Sequence, residues 1–155
     1  MPRLLQVIEL GHPTLRTRAE DISSIASVTT QDLIDDLLYT CAEMDGVGIA
    51  APQVNVPSRI FIMASKPNSR YPKAPFMEPI ALINPQILAL SDETNKDWEG
   101  CLSFPGVRAR VSRPTWVDVK YFDRYGHEIG TRFKDFLARV FLHEHDHLEG
   151  TMFSD

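Results

Sequence analysis

One stretch near the C-terminus constrains the chain more than any other: residues 143–150, which read HEHDHLEG. They close a segment from about Thr131 to Glu149 whose apolar residues keep helical spacing. Gly150 is its expected stop, because glycine takes the left-handed cap conformation without strain. Phe136, Val140, His143 and His147 share one face, and Phe133, Leu137, Val140 and Glu144 form the adjoining stripe. Two histidines and a glutamate therefore project from the side that must be buried. A buried polar cluster is costly unless its members are paired or hold a metal. Any fold for this chain has to wrap that helix with groups that answer the cluster.

His143, Glu144 and His147 form an H-E-x-x-H pattern, which sets two imidazoles one turn apart where they can grip one ion. His145 points roughly the other way and is expected at the surface. Asp146 is expected in an ion pair, with Arg113 as partner. His12 and His127 read as turn or surface residues.

The rest of the chain predicts an α+β domain spanning residues 1–155, with short, mostly antiparallel strands packed around the C-terminal helix. A first helix is expected from about Thr30 to Met44, with Thr29 or Thr30 as its cap and Leu33, Leu37, Cys41 and Met44 on its core face. Residues 59–64, 80–85, 86–90 and 115–123 read as strands, 66–79 as a long loop and 91–100 as a polar connection. Alternation in the fourth strand puts Trp116, Asp118, Lys120 and Phe122 on one side, and Gly126 marks a hairpin turn after it.

The net charge of −5, with no lysine or arginine run, gives nucleic acid no electrostatic footprint. No apolar stretch is long enough to span a bilayer, and the start lacks a signal-peptide layout, so a cytoplasmic location is expected. Two cysteines are too few for a disulfide framework. Cys41 reads as buried filler and Cys101 as a metal ligand or a nucleophile.

A catalytic site of the zinc type needs three protein ligands and one open position. Downstream of the motif only Glu149 is near, and it lies on a different face. The upstream candidate is Cys101, in EGCLSFP. A nucleophilic Cys–His pair is the rival, but it leaves His147 and Glu144 without a role. A third stretch, GVGIAAPQ (46–53), reads as a tight turn of small residues or as a place where glycine lets backbone approach a ligand.

GVGIAAPQ, EGCLS and HEHDHLEG, in this order and spacing, resemble the three motifs of peptide deformylases. ELGHPTLR, LINP and PGVRARVSRP extend the likeness over nearly the whole chain. The resemblance implies removal of the formyl group from the N-terminal formylmethionine of nascent chains, with release of formate. It implies Cys101, His143 and His147 as ligands of one divalent metal. Fe²⁺ is the expected working ion, and Zn²⁺, Ni²⁺ or Co²⁺ are alternatives in purified protein. Glu144 is implied as the proton carrier, with the Gln53 side chain and the Leu102 N–H as donors to the oxyanion. Val47, Gly48, Gly100, Arg108, Phe136 and Val140 are implied around the peptide.

The implied partners are formylmethionyl peptides and nascent chains at the ribosome, met by a monomer in the cytoplasm of a bacterium or of a virus's host. Leu142 departs from the glutamine many members carry there, which should alter hydrogen bonding around the site rather than metal binding. Asp155 ends the chain sooner than most members, as in a cut or minimal form. An H-E-x-x-H endopeptidase and a non-enzymatic deformylase-like binder are the competing readings.

Overall fold

The run Ile60–Met63 is apolar and buried at every position because both of its faces are covered. In the computed structural model, which describes residues 1–155, this run is β2 of a five-stranded antiparallel sheet. The order along the chain is α1 (Val28–Glu43), β1 (Gly48–Ala50), β2 (Ile60–Met63), β3 (Ile80–Leu90), β4 (Thr94–Cys101), β5 (Phe104–Pro114), β6 (Trp116–Phe122), β7 (Glu128–Lys134) and α2 (Asp135–Leu148). Short 3₁₀ turns lie at Pro13–Arg16 and Ala51–Val54. The large sheet runs β1-β2-β3-β6-β7, while β4 and β5 form a separate hairpin. The expected α+β architecture with antiparallel strands around the C-terminal helix holds.

Alternation along the strands splits the core in two. Phe61, Met63, Leu82, Val117 and Val119 face α2 and meet Ala138, Phe141, Leu142 and Leu148. Ile60, Ile62, Ala81 and Ile83 turn to the other side, against Ile34, Leu37 and Cys41 of α1. Cys41 is fully buried filler, as its helical spacing predicts.

Several boundaries differ from the sequence expectation. Residues 131–134 are strand, not helix, because they complete the ladder to β6 as far as Trp116↔Lys134. A positive φ of 53° at Asp135 turns the chain into α2. Phe133 fits both the strand and the helical period, which is why spacing alone placed it on the helix. The cap of α1 is Ser27, whose hydroxyl accepts the Thr30 N–H at 3.2 Å, not Thr29 or Thr30. Met44 lies at the C-cap, 41% exposed, instead of in the core.

The two strands expected over 80–90 are a single strand, β3, broken only by irregular register against β6. Residues 94–101 are the strand β4 and not a loop. Their polarity misled because most of β4 faces solvent and depends on β5 for its partner. Within the expected turn at 46–53, Gly48–Ala50 pairs with β2 as the edge strand β1. His145 is half-buried rather than a surface residue, its ring stacked on Phe141 with centroids 5.8 Å apart. Gly126 takes the expected tight-turn position, with φ of 84°.

Candidate active site

Helix α2 carries His143, Glu144 and His147 on its buried side, 8%, 4% and 1% exposed. The register of the β4–β5 hairpin brings Cys101, the last residue of β4, against them. The Sγ of Cys101 lies 3.4 Å from His147 Nε2, and ligand atoms of Cys101, His143 and His147 all fall within 4.8 Å of one another. Two ligands on one tetrahedral ion, at ordinary metal–sulfur and metal–nitrogen lengths, stand roughly 3.5 Å apart. One thiol and two imidazoles are also the donor set that borderline-soft divalent metals prefer. The cluster therefore fits a divalent ion.

His143 is aimed by a residue that the sequence reading missed. Its Nδ1 meets Glu99 Oε1 at 2.8 Å, which leaves Nε2 turned toward Cys101 and His147. A carboxylate behind a ligating histidine sets its tautomer and orientation. Glu99 is 1% exposed and also accepts from Arg113 Nε at 2.8 Å, Arg113 Nη2 at 2.9 Å and Arg139 Nη1 at 2.8 Å. Burial pushes this carboxyl up, but the bonds from Arg113 and His143 outweigh it and hold Glu99 at about 2. Arg113 continues to Asp146 Oδ2 at 2.7 Å, the pair the sequence suggested. Burial lowers the His143 imidazole, but the Cys101 and Glu99 contacts overcome this and raise it, whereas burial depresses His147. Phe153 stacks on the His143 ring with centroids 5.4 Å apart.

Glu144 differs from Glu99 in having no answering cation. Its Oε1 is buried without a hydrogen-bond partner, and burial drives the carboxyl up to about 7. A buried orphan carboxylate is costly, and such groups concentrate where proton transfer is needed. Gly48 makes room for it: a Cβ there would lie 2.8 Å from Glu144 Oε2 and 2.9 Å from the Ile62 carbonyl.

Gln53 reaches the cluster from the 3₁₀ turn after β1. Its Oε1 accepts the Ala50 N–H at 2.9 Å, which directs Nε2 to Ser103 Oγ at 3.1 Å and Cys101 Sγ at 3.5 Å. The Leu102 N–H, in the turn between β4 and β5, has no acceptor within the chain. A cleft runs between the free edges of β1 and β4, with Val47, Gly48, Gly100, Leu102, Phe136 and Val140 on its walls. Arg108 stands outside this cleft, in the next groove along.

Tyr71 was missed inside the long 66–79 loop. Its hydroxyl accepts the Gly100 N–H at 2.8 Å and donates to the Gly100 carbonyl at 3.3 Å, and its ring meets Phe136 edge-on. No periodic pattern marks Tyr71. Glu99 could have been suspected from its place two residues before Cys101.

A family model described as Polypeptide deformylase matches residues 4–155. The chain belongs to this family. Among peptide deformylases of known sequence, "Peptide deformylase 2" of Nostoc sp. is 53% identical over 99% of this chain and 86% of its own length. "Peptide deformylase 2" of Shewanella oneidensis is 42% identical over 94% of this chain and 80% of its own. Among solved structures, a Met-Ala-Ser-bound class I type b peptide deformylase from Acinetobacter baumannii matches with a TM-score of 0.96 and 42% identity, covering 99% of this chain and 98% of that one. A Synechococcus elongatus peptide deformylase in complex with actinonin matches with a TM-score of 0.86 and 35% identity, covering 97% of this chain and 77% of that one.

Proposed function

We propose that this chain is a single-domain, metal-dependent hydrolase that removes the formyl group from the N-terminal methionine of nascent polypeptides and releases formate. The observation that carries the proposal is the buried Cys101–His143–His147 cluster beside an unpartnered Glu144 carboxylate oxygen. Cys101, His143 and His147 would hold one divalent ion, with Glu99 fixing the His143 ring. Such an ion supplies Lewis-acid chemistry, acidifying water toward neutral pH and polarising a carbonyl oxygen.

Glu144, with nothing else to bond, takes the proton of the attacking water and delivers it to the leaving amine. The Leu102 N–H and Gln53 Nε2 donate to the charge that develops on the formyl oxygen. The peptide lies extended between the edges of β1 and β4, using backbone groups of Gly48 and Gly100, as in strand addition. Tyr71 yields the Gly100 groups to it. The methionine side chain enters between Val47, Phe136 and Val140, and Arg108 meets later residues.

Ferrous iron is the working ion in this reading: one thiol and two imidazoles suit iron, zinc, nickel or cobalt alike in kind, and the family likeness favours iron among them. The enzyme works as a cytoplasmic monomer on nascent chains at the ribosome; no helix is long and apolar enough to cross a membrane. The test is formate release from formyl-Met-Ala-Ser by protein prepared without oxygen, beside an assay for internal peptide cleavage. Formate without internal cleavage is expected. Internal cleavage without formate returns the site to an endopeptidase.

A further inference from the structure

The positive charge of this chain is unevenly placed. Of its sixteen lysines and arginines, ten form ion pairs with carboxylates. Five of the other six, Arg70, Lys73, Lys96, Arg108 and Arg110, belong to the β4–β5 hairpin and to the loop beside it. No run of basic residues in the sequence announces them. Lys96, Arg108 and Arg110 meet because of register: Gly100 pairs with Arg108, Trp98 with Arg110 and Lys96 with Ser112, and directly paired residues share one face of a hairpin. That face is exposed, and Trp98 lies on it, 48% exposed, with the Arg108 guanidinium 5.7 Å from its ring centroid.

At its cleft end the face opens into a groove of about 360 Å³, where Arg70, Lys73, Trp98 and Arg108 are joined by one carboxylate, Asp97. Asp97 is already engaged, accepting the Trp98 N–H at 2.8 Å. Arg70, Tyr71 and Phe136 line both this groove and the reaction cleft, so the two are continuous. A peptide paired along β4 advances about 7 Å for every two residues. Its third and later residues therefore leave the cleft over this face.

We infer that the exposed β4–β5 face is an acidic-peptide subsite, which selects aspartate and glutamate at the third and following residues of the substrate. It rests on the deformylase reading for the direction of the peptide. Continuity with the reaction cleft favours a polypeptide over a nucleic-acid strand. Arg70, which lines the cleft itself, and Arg108 and Lys73 in the groove beside it act on the first of these residues, and Lys96 and Arg110 act further out. Each pair is solvent-exposed, so the preference is modest and falls with salt.

The test compares formyl-Met-Ala-Glu-Glu-Glu with formyl-Met-Ala-Lys-Lys-Lys on the metal-loaded enzyme. The glutamate peptide should have a kcat/KM about five- to tenfold higher, carried in KM, the scale of two or three exposed ion pairs. The ratio should collapse toward one at high salt, where the screening length falls to about 3 Å. It should also collapse in Lys73→Gln/Arg110→Gln. Equal rates for the two peptides at low salt overturn the inference. Inhibition by a single-stranded oligouridylate, with no preference between the peptides, overturns it in favour of nucleic acid.

Fluorescence anisotropy of labelled, unformylated versions of both peptides reads the face without turnover. A glutamate preference there, with no formate released from any substrate, sinks the deformylase reading and leaves the anionic subsite standing. Absence of preference in both assays sinks the subsite alone.

Discussion

Replacing Glu99 by glutamine separates the contribution of the helix from that of the ion network behind it. The substitution keeps the shape of the side chain and removes its charge. Arg113 and Arg139, 9% and 4% exposed, then face an amide where both had an ionised acceptor. Removing one member of a buried charge pair costs about 3–5 kcal/mol, because the partner is left without compensation. The depression of the Glu99 carboxyl leads to a similar figure. With the folded carboxyl held at about 2 against an ordinary 4.5, the ionised form contributes about 3 kcal/mol. Since the folded value is the depressed one, that contribution is present above pH 4.5 and is lost as pH falls toward 2.

For a chain of this size, 3–5 kcal/mol corresponds to a drop in Tm of roughly 6–20 °C. His143 also loses its ionised orienting acceptor, so metal affinity should fall by about 10- to 100-fold. Thermal unfolding followed by circular dichroism reads the first effect, and elemental analysis after dialysis against a graded chelator reads the second. The Glu99→Gln protein should also lose the Glu99 share, about 3 kcal/mol, of the wild-type stability change between pH 4.5 and 2. A variant that melts with the wild type and keeps its metal would refute the argument that this carboxylate organises the site.

Glu144→Gln should bind metal normally and lose kcat by at least about 10²-fold, the scale of general acid–base catalysis; undiminished turnover would remove Glu144 from proton transfer. Cys101→Ala should leave the metal content of purified protein far below one ion per chain. A full complement of metal would revive the thiol-nucleophile reading. Gly48→Ala places a Cβ against Glu144 Oε2 and the immovable Ile62 carbonyl, so about 1–3 kcal/mol of stability and at least tenfold in kcat should be lost together. Wild-type rates in that variant would show that the Glu144 position is not critical.

Much of the site was legible because its groups sit in short local patterns. The one-turn spacing of His143 and His147 is a property of any helix, and the cost of burying them already called for a metal. Cys101 emerged because only one unexplained thiol was available upstream. Gln53 and Leu102 came with the family likeness rather than from spacing. What escaped were groups with no periodic mark. Glu99 reads as one more acid in a polar stretch until β4 and α2 are packed together. Tyr71 reads as loop until its hydroxyl meets Gly100. Arg139 carries no mark of its role in the sequence, yet it is 4% exposed and bonded to Glu99 and Asn95. The misplaced boundaries share a cause: Thr131–Lys134 satisfies strand and helix periods alike, and β4 is too polar to announce itself without β5.

By itself the sequence determined the α+β class, the family, the helix that carries the H-E-x-x-H pattern and which way that helix faces. These follow from local spacing and from the energetic penalty on buried polar groups. The tertiary structure alone decided what completes the site and what surrounds it. Hairpin register carries Cys101 and Glu99 to the histidines, two buried guanidiniums ionise one glutamate while its neighbour Glu144 is left without a partner, and five scattered cations gather on one face. Each of these depends on contacts between residues far apart in the chain, and a one-dimensional pattern holds no record of them.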